Sequence, residues 1–324
     1  MKKIAIFNVG GALSTYVEFD DLKFVVDIGV GNGFSPVKDF LIPLAERRSF
    51  LVESGKYQID QLFLSHLDND HISDYENFTE NFHPKLLTVP SDHEKISEKL
   101  KISRDKISKS EIASKILEDM KKRIPGGDAN NPDYENPLAV CDTNNIFLDY
   151  ISPKECEQLD LISEEDYPHY ANNISLVLYV KIGNSSILFP GDIMKDGMEC
   201  LIKNKFILRS VIYKLGVDFI IAPHHGLDTS FSDLFFKTIK DKKVKLNIIS
   251  EKSVQKEESD NRHNVDRRYY SSDYSSGVNV LNGKEGIQYG IITSLGHIVI
   301  DFDQENPIVK RCKTNEELLN EFKI

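Results

Sequence analysis

The sequence predicts an α/β (α+β) protein, and three observations carry that prediction. Short apolar runs with the length of buried strands recur from end to end, among them Lys3–Gly10, Lys23–Gly29, Gln61–Ser65, Val217–Ala222 and Lys245–Ser250. Between them lie stretches of helical period, such as the apolar positions 198, 202, 206, 207, 211 and 215. Several strands run directly into clusters of His and Asp, which is where an α/β scaffold presents its chemistry.

The opening residues read as three strands, KIAIFNVG, LSTYVEF and KFVVDIG, separated by Gly10-Gly11 and by an Asp20-Asp21 turn. Asp27 closes the third of them, where a turn role and a role in orienting a ligand are both open. Residues 36–50 are expected to be helical. The decisive stretch follows, Phe63 to Asp74, FLSHLDNDHISD, in which His66, Asp68, Asp70 and His71 leave a buried strand together. Residues two apart in an extended or turning segment point the same way, so His66 and Asp68 can hold one ion while Asp70 and His71 reach a second. The chain has only 9 His in 324 residues, so two of them among three Asp directly after an apolar strand are not a chance loop.

Lys85–Pro90 reads as the next strand, and Ser91-Asp-His-Glu94 has the capping-box arrangement ahead of charged, periodic sequence up to about Arg123. His93 is read as a helix-cap neighbour. Residues 91–140 are taken as a helical insertion or cap within one domain spanning 1–324, a natural seat for substrate selectivity. Asn172–Lys181 and Ser186–Asp192 read as a hairpin through Gly183-Asn184, with Gly191-Asp192 at its exit. Val217–Ala222 enters Pro223-His-His-Gly226, a second pair of ligand-type residues at a strand end. Glu251–Arg262 reads as a charged loop, and Gln288–Thr293 with His297–Asp301 as a final hairpin, His297 being placed at the surface near the turn.

Composition bounds the function. No apolar run approaches 18 residues and the N-terminus lacks signal-peptide form, so a cytoplasmic protein without membrane spans is expected. Cys141, Cys156, Cys200 and Cys312 are scattered without metal-site spacing and read as reduced thiols. A net charge of −11 argues against a protein that coats long nucleic acid. Lys240–Lys245 and Lys121–Arg123 read as solvated helix ends, and Gly29–Gly33 does not have dinucleotide-loop spacing.

Strand followed by His66-x-Asp68-x-Asp70-His71 resembles the metal-binding signature of the metallo-β-lactamase fold, with Asp in place of its second His. That variant is similar to the hydrolase domain of ComEC-type DNA-uptake (competence) proteins. Asn8-Val-Gly-Gly11 stands where that family has DVGQG, and Asp27-Ile-Gly29 matches its IDxG. Asn172 and Ser175 match its NxxS, and Gly191-Asp192 its GD. Ala222-Pro-His-His-Gly226 matches PHHGSxxS, with Leu227 in place of Ser. Asn261-Arg-His263 keeps only part of NxYGHP, so His263 is a candidate proton donor or phosphate contact against the alternative of a solvent-exposed loop residue.

The resemblance implies an αββα sandwich of two mixed β-sheets flanked by helices, holding two divalent metal ions. One ion would have His66, Asp68 and Asp192, with Asn172 as a weak fourth ligand. The other would have Asp70, His71, Asp192 and His224. Asp27 and Ser175 would support them from behind, Asp70 would orient the attacking water, and His225 or His263 would contact the phosphate or protonate the leaving group. The oxygen-rich first site makes manganese competitive with zinc, with magnesium or iron as further candidates.

The implied activity is hydrolysis, foremost of phosphodiesters in DNA or a nucleotide. Ester, lactone, thioester and β-lactam bonds share the chemistry. The resemblance also leaves room for a metal-binding partner or sensor subunit, with a protein partner from the same operon, including a helper in a prokaryotic antiviral defence system. Ser73-Asp74 in place of the family's Gly-Gly weighs toward that second class.

Overall fold

The computed structural model describes residues 1–90, 111–116, 118–119, 140–158, 171–251 and 265–323. Its strands, in chain order, are β1 (Lys2–Ile6), β2 (Ser14–Phe19), β3 (Leu22–Ile28), β4 (Val52–Glu53), β5 (Lys56–Phe63), β6 (Phe82–Thr88), β7 (Ile146–Asp149) and β8 (Val177–Ile182). They continue as β9 (Ser185–Phe189), β10 (Phe219–Ile221), β11 (Leu246–Ile249), β12 (Val278–Leu281), β13 (Ile287–Gln288), β14 (Gly290–Ile292), β15 (His297–Asp301) and β16 (Ile308–Cys312).

Two mixed sheets result. The first runs β13-β12-β16-β15-β1-β2-β3-β5-β4, with β6 also paired to β5, and the second runs β14-β11-β10-β9-β8-β7. Alternation along the strands explains why they stack. Ile4 and Ile6 of β1 join Leu178, Val180 and Ile182 of β8 in one apolar layer between the sheets, while Ala5, Phe7 and Tyr179 turn to the opposite faces. Those outer faces are covered by helices, among them Ile42–Arg47, Tyr75–Asn81, Lys195–Asn204 and Phe206–Leu215. The architecture is the expected αββα sandwich.

Three readings are corrected. The periodic stretch 198–215 is two helices, not one, broken at the extended Lys205. The buried Asp149 carboxylate at the end of β7 accepts from the Leu208 amide at 3.3 Å, supplying the second helix with a first-turn partner that periodicity does not show. The expected final hairpin does not form. β14 lies parallel to β11 in the second sheet, whereas β15 pairs with β1 and β16 in the first, the chain crossing between them through a turn at Thr293–Leu295 and Gly296 at φ 136°.

His297, expected at the surface, is buried, its Nδ1 accepting from the Asn8 amide at 3.1 Å.

The proposed insertion 91–140 lies almost wholly outside the described residues. Of its described part, 111–116 is helical, and Ala113 and Ile116 are buried in the core. The 91–94 capping box, His93, Lys121–Arg123 and the loop 252–262 also lie outside. The described cysteines are all free thiols, and among the described residues no helix is long and apolar enough to cross a membrane.

Candidate metal centre

The centre forms where β3, β5, β9 and β10 end on one side of the sandwich. β3 and β5 are parallel neighbours, with Val26 opposite Phe63, so Asp27 emerges beside Ser65 and His66. Asp27 turns through a left-handed backbone, φ 55°, and aims its carboxylate back under the β5 loop. It accepts from the Ser65 amide at 2.7 Å and the Ser65 hydroxyl at 2.8 Å, and its Oδ2 lies 2.9 Å from His71 Nδ1. All of these groups are buried.

The tautomers follow. His71 donates Nδ1–H to Asp27, so Nε2 is the nitrogen left to carry the lone pair when the ring is neutral. Ser65 Oγ donates to Asp27 and accepts from His66 Nδ1–H at 3.1 Å, which frees His66 Nε2 in the same way. His225 donates Nδ1–H to the Ser250 carbonyl at 2.9 Å, and His224 Nδ1 lies 3.4 Å from Ser230 Oγ. Each of the four imidazoles is thus tethered through Nδ1.

The free nitrogens face Asp192. His71 Nε2 lies 3.2 Å from Asp192 Oδ1. The distances to Asp192 Oδ2 are 3.5 Å from His225, 3.9 Å from His66 and 4.0 Å from His224. Asp68 Oδ2 stands 4.0 Å from His66 Nε2, and Asp70 Oδ2 3.5 Å from His225 Nε2. Asp192 is placed by Gly191, whose φ is +59° and where a Cβ would lie 2.8 Å from Ser65 Cβ and 2.9 Å from Ser175 Cβ, so only glycine fits. Ser175 Oγ accepts from the Asp192 amide at 3.2 Å, fixing the loop from behind.

This donor set fits divalent cations. The Nε2 atoms of His66, His71 and His225 are buried without a hydrogen-bond partner, a cost that proteins rarely carry unless a ligand meets it. The charges agree. Burial alone would lower His71, yet Asp192 and Asp27 outweigh it and hold its pKa well above the ordinary value; His225 is likewise raised, by Asp192 and Asp70 against burial. Burial pushes His66 and His224 down. Burial would raise Asp70 and Asp192, but contact with His225 and His71 holds both well below the usual carboxylate range. Three carboxylates therefore draw positive charge onto the imidazoles, charge that cations can supply instead.

The grouping of candidate ligand atoms differs from expectation at the histidine pair. Nitrogen and carboxylate atoms of Asp70, His71, Asp192 and His225 lie within 4.8 Å of one another, so it is His225, not His224, that joins this group. His224, more open at 23% side-chain exposure, stands outside that group with its Nε2 4.0 Å from Asp192 Oδ2. The reason is local: both histidines adopt left-handed backbones, φ 48° and 56°, and the turn carries the second ring inward to Ser250. Asn172 is buried, but its amide nitrogen faces the Met194 sulfur at 3.8 Å, and it has no hydrogen bond to His66, Asp68 or Asp192 among the described residues. His263 lies outside the described residues.

Sequence reasoning gave Ser65, Ser230 and Asp74 no part in positioning the site. Asp74 accepts from Ser35 Oγ at 2.7 Å and from the Val37 amide at 2.9 Å, and Ser73 Oγ accepts from the Val30 amide at 2.8 Å. The pair that replaces Gly-Gly therefore ties the loop after β3 to the metal-ligand segment. Its polar side chains, one residue beyond His71 after the buried Ile72, were the available signal.

Residues 7–145 match the family model of the metallo-beta-lactamase superfamily. ComE operon protein 3 of Bacillus subtilis (strain 168) is 25% identical over 209 residues, covering 64% of this chain and 22% of that protein, so the chain spans about a fifth of its relative's length. Among solved structures, the metallo-beta-lactamase fold protein YhfI from Bacillus subtilis overlaps 76% of this chain and 85% of its own at 12% identity and TM-score 0.36. A diphosphatase of the PhnP family overlaps the same shares at 12% identity and TM-score 0.33. The match to the metallo-beta-lactamase superfamily thus spans the β3 and β5 strand ends, and the two mixed sheets built around them form an αββα sandwich.

Proposed function

We propose that this chain is a hydrolase of phosphodiester bonds in DNA or a nucleotide, working with two divalent cations. The observation that carries the reading is the convergence of tethered imidazoles, their Nε2 atoms unpaired, on one carboxylate, Asp192. Asp70, His71, Asp192 and His225 would hold one cation, and His66, Asp68 and Asp192, with His224 beside them, the other. Bound there, such a pair supplies Lewis-acid stabilisation of phosphoryl charge and lowers the pKa of water.

The chain's own residues supply position and proton handling. Asp70 is 39% exposed at the side chain and Asp68 24%, so the cluster opens to solvent on their side and a scissile group would enter there. Asp70, kept ionised by His225 and His71 against burial, is the group suited to orient the attacking water. His224 rather than His225 is left to face the substrate, because His225 is held between Ser250, Asp70 and Asp192. The oxygen-rich donors Asp68, Asp70 and Asp192 suit manganese as well as zinc. The preference for phosphodiesters rests on the resemblance to DNA-uptake hydrolase domains, and a place beside a partner in a defence operon rests on resemblance alone.

The test is metal analysis of protein purified without chelator, followed by turnover of a generic bis-phosphodiester and of DNA with added Mn²⁺ or Zn²⁺. The wild type is expected to retain close to two equivalents of metal, and Asp70→Asn to remain folded while losing at least ~10²-fold in turnover. A metal-loaded wild type that is silent on phosphodiester and ester panels, alongside an Asp70→Asn protein with full biological activity, would transfer the reading to a metal-binding partner subunit.

A further inference from the structure

Away from the metal-ligand cluster, the C-terminal part of the chain forms an open cavity of about 690 Å³, a size typical of small-ligand pockets. It lies where the sheets part. β13 belongs to the first sheet and β14, separated from it only by Tyr289, to the second, so the cavity is walled by both. Ile287 and Leu295 on its wall are 60% and 52% exposed, large apolar side chains left uncovered among the described residues.

Arg311 lies beneath them, only 4% exposed. Its Nη1 donates to the Ile292 carbonyl at 2.9 Å and lies 3.4 Å from the Gly296 carbonyl, which fixes the plane of the guanidinium. Buried arginines are ordinarily paired with a carboxylate, yet Arg311 has no ion pair among the described residues. Its Nε and Nη2 have no hydrogen-bond acceptor there either. Neither atom is fully enclosed, and Arg311 lines the cavity. Lys284 and Lys313 also line the space, against one carboxylate, Glu285. In a chain of net charge −11 this wall is a local reversal of sign.

We propose that this cavity binds a small organic oxyanion, a phosphate, phosphonate or carboxylate on an apolar body, with the Arg311 fork holding the oxyanion and Ile287 and Leu295 covering the body. A guanidinium with one edge fixed by carbonyls presents its remaining donors without further ordering, the arrangement that suits bidentate capture of an oxyanion. Burial lowers the Arg311 pKa, in keeping with a cation that lacks its counter-ion.

The test is isothermal titration of the metal-loaded full chain with phenylphosphonate, a non-hydrolysable probe carrying both features, and with inorganic phosphate and benzoate as single-feature and carboxylate arms. Because Arg311 also anchors two carbonyls, the exposed Lys313 and Leu295 carry the mutational arm. Lys313→Glu and Leu295→Glu are expected each to weaken phenylphosphonate at least tenfold, Asp70→Asn to leave it unchanged, and inorganic phosphate to bind more weakly than the probe. Absence of saturable binding, or binding that Asp70→Asn abolishes while Lys313→Glu and Leu295→Glu leave it intact, would overturn the proposal.

Discussion

Replacing Gly29 with Ala tests whether the metal-ligand loop is held by backbone contact as well as by side chains. A Cβ built on Gly29 falls 1.8 Å from the Asp70 carbonyl oxygen and 2.8 Å from Ala12 Cβ. Ordinary van der Waals separation is roughly 3.5 Å, so the carbonyl must retreat by more than ~1 Å. The same oxygen accepts from the Leu13 amide at 3.0 Å, and the Gly29 amide donates to the Leu13 carbonyl at 2.8 Å, so the retreat strains a stitched junction. Overpacking of about 1–3 kcal/mol plus a lost hydrogen bond of ~1 kcal/mol gives a destabilisation of about 2–4 kcal/mol. A shift of ~1 Å in the Asp70 backbone also moves its carboxylate from His225, a misplacement worth roughly 10²-fold in a catalytic site. Urea titration would measure the first quantity, and competition with a chromophoric chelator, with turnover beside it, the second. A Gly29→Ala protein with wild-type stability and metal affinity would refute the reasoning.

Asp27→Asn removes the charge that orients His71 and Ser65, and metal affinity is expected to fall about 10–100-fold with the fold retained, read by competitive chelation. His225→Ala should cost the tighter equivalent of metal and His224→Ala the looser one, which calorimetric metal titration resolves; equal losses would mean that the two rings share one ion. His297 supplies a pH prediction. Burial depresses it to about 4 in the fold against about 6.5 unfolded, so its contribution is complete above pH 6.5 and lost as pH falls through 4, about 3 kcal/mol in all. Urea midpoints at pH 7 and 4.5, in the same metal state, should fall less for His297→Gln than for wild type, and an identical fall would remove His297 as the cause.

The sequence made the strand ends legible because the signals there are local. An apolar run closing on His66-Leu-Asp68-Asn-Asp70-His71 specifies both a buried strand and the polar loop it must present, and the structure brings all four residues to one place with Asp27 beneath them. What failed was non-local. β14 pairs in parallel with β11 and not with β15, a choice made by the crossover at Gly296. Asp149 breaks a helix that lies about 60 residues further along the chain.

The histidine pair shows the same limit within a single tetrapeptide. In an extended strand end, adjacent side chains point to opposite sides, so choosing His224 over His225 amounts to choosing a face, and nothing in Pro-His-His-Gly marks which. The structure decides by leaving the extended region altogether: His224, His225 and Gly226 all have positive φ. Left-handed backbone in β-unbranched, non-glycine residues costs of order 1 kcal/mol each and persists where surroundings impose it. Here the Gly191 carbonyl accepts from the His224 amide and the Ser250 carbonyl accepts from His225 Nδ1. Asp27 sits in the same conformation, held by two bonds from Ser65. Asp27, His224 and His225 thus carry left-handed backbone where their side chains address Asp192 or its neighbours, and the contacts that sustain it come from the ends of β9 and β11 and the loop after β5. A centre assembled by four separate strand ends is fixed by their mutual placement, which is why the ligand types could be read from local sequence and the division of labour between His224 and His225 could not.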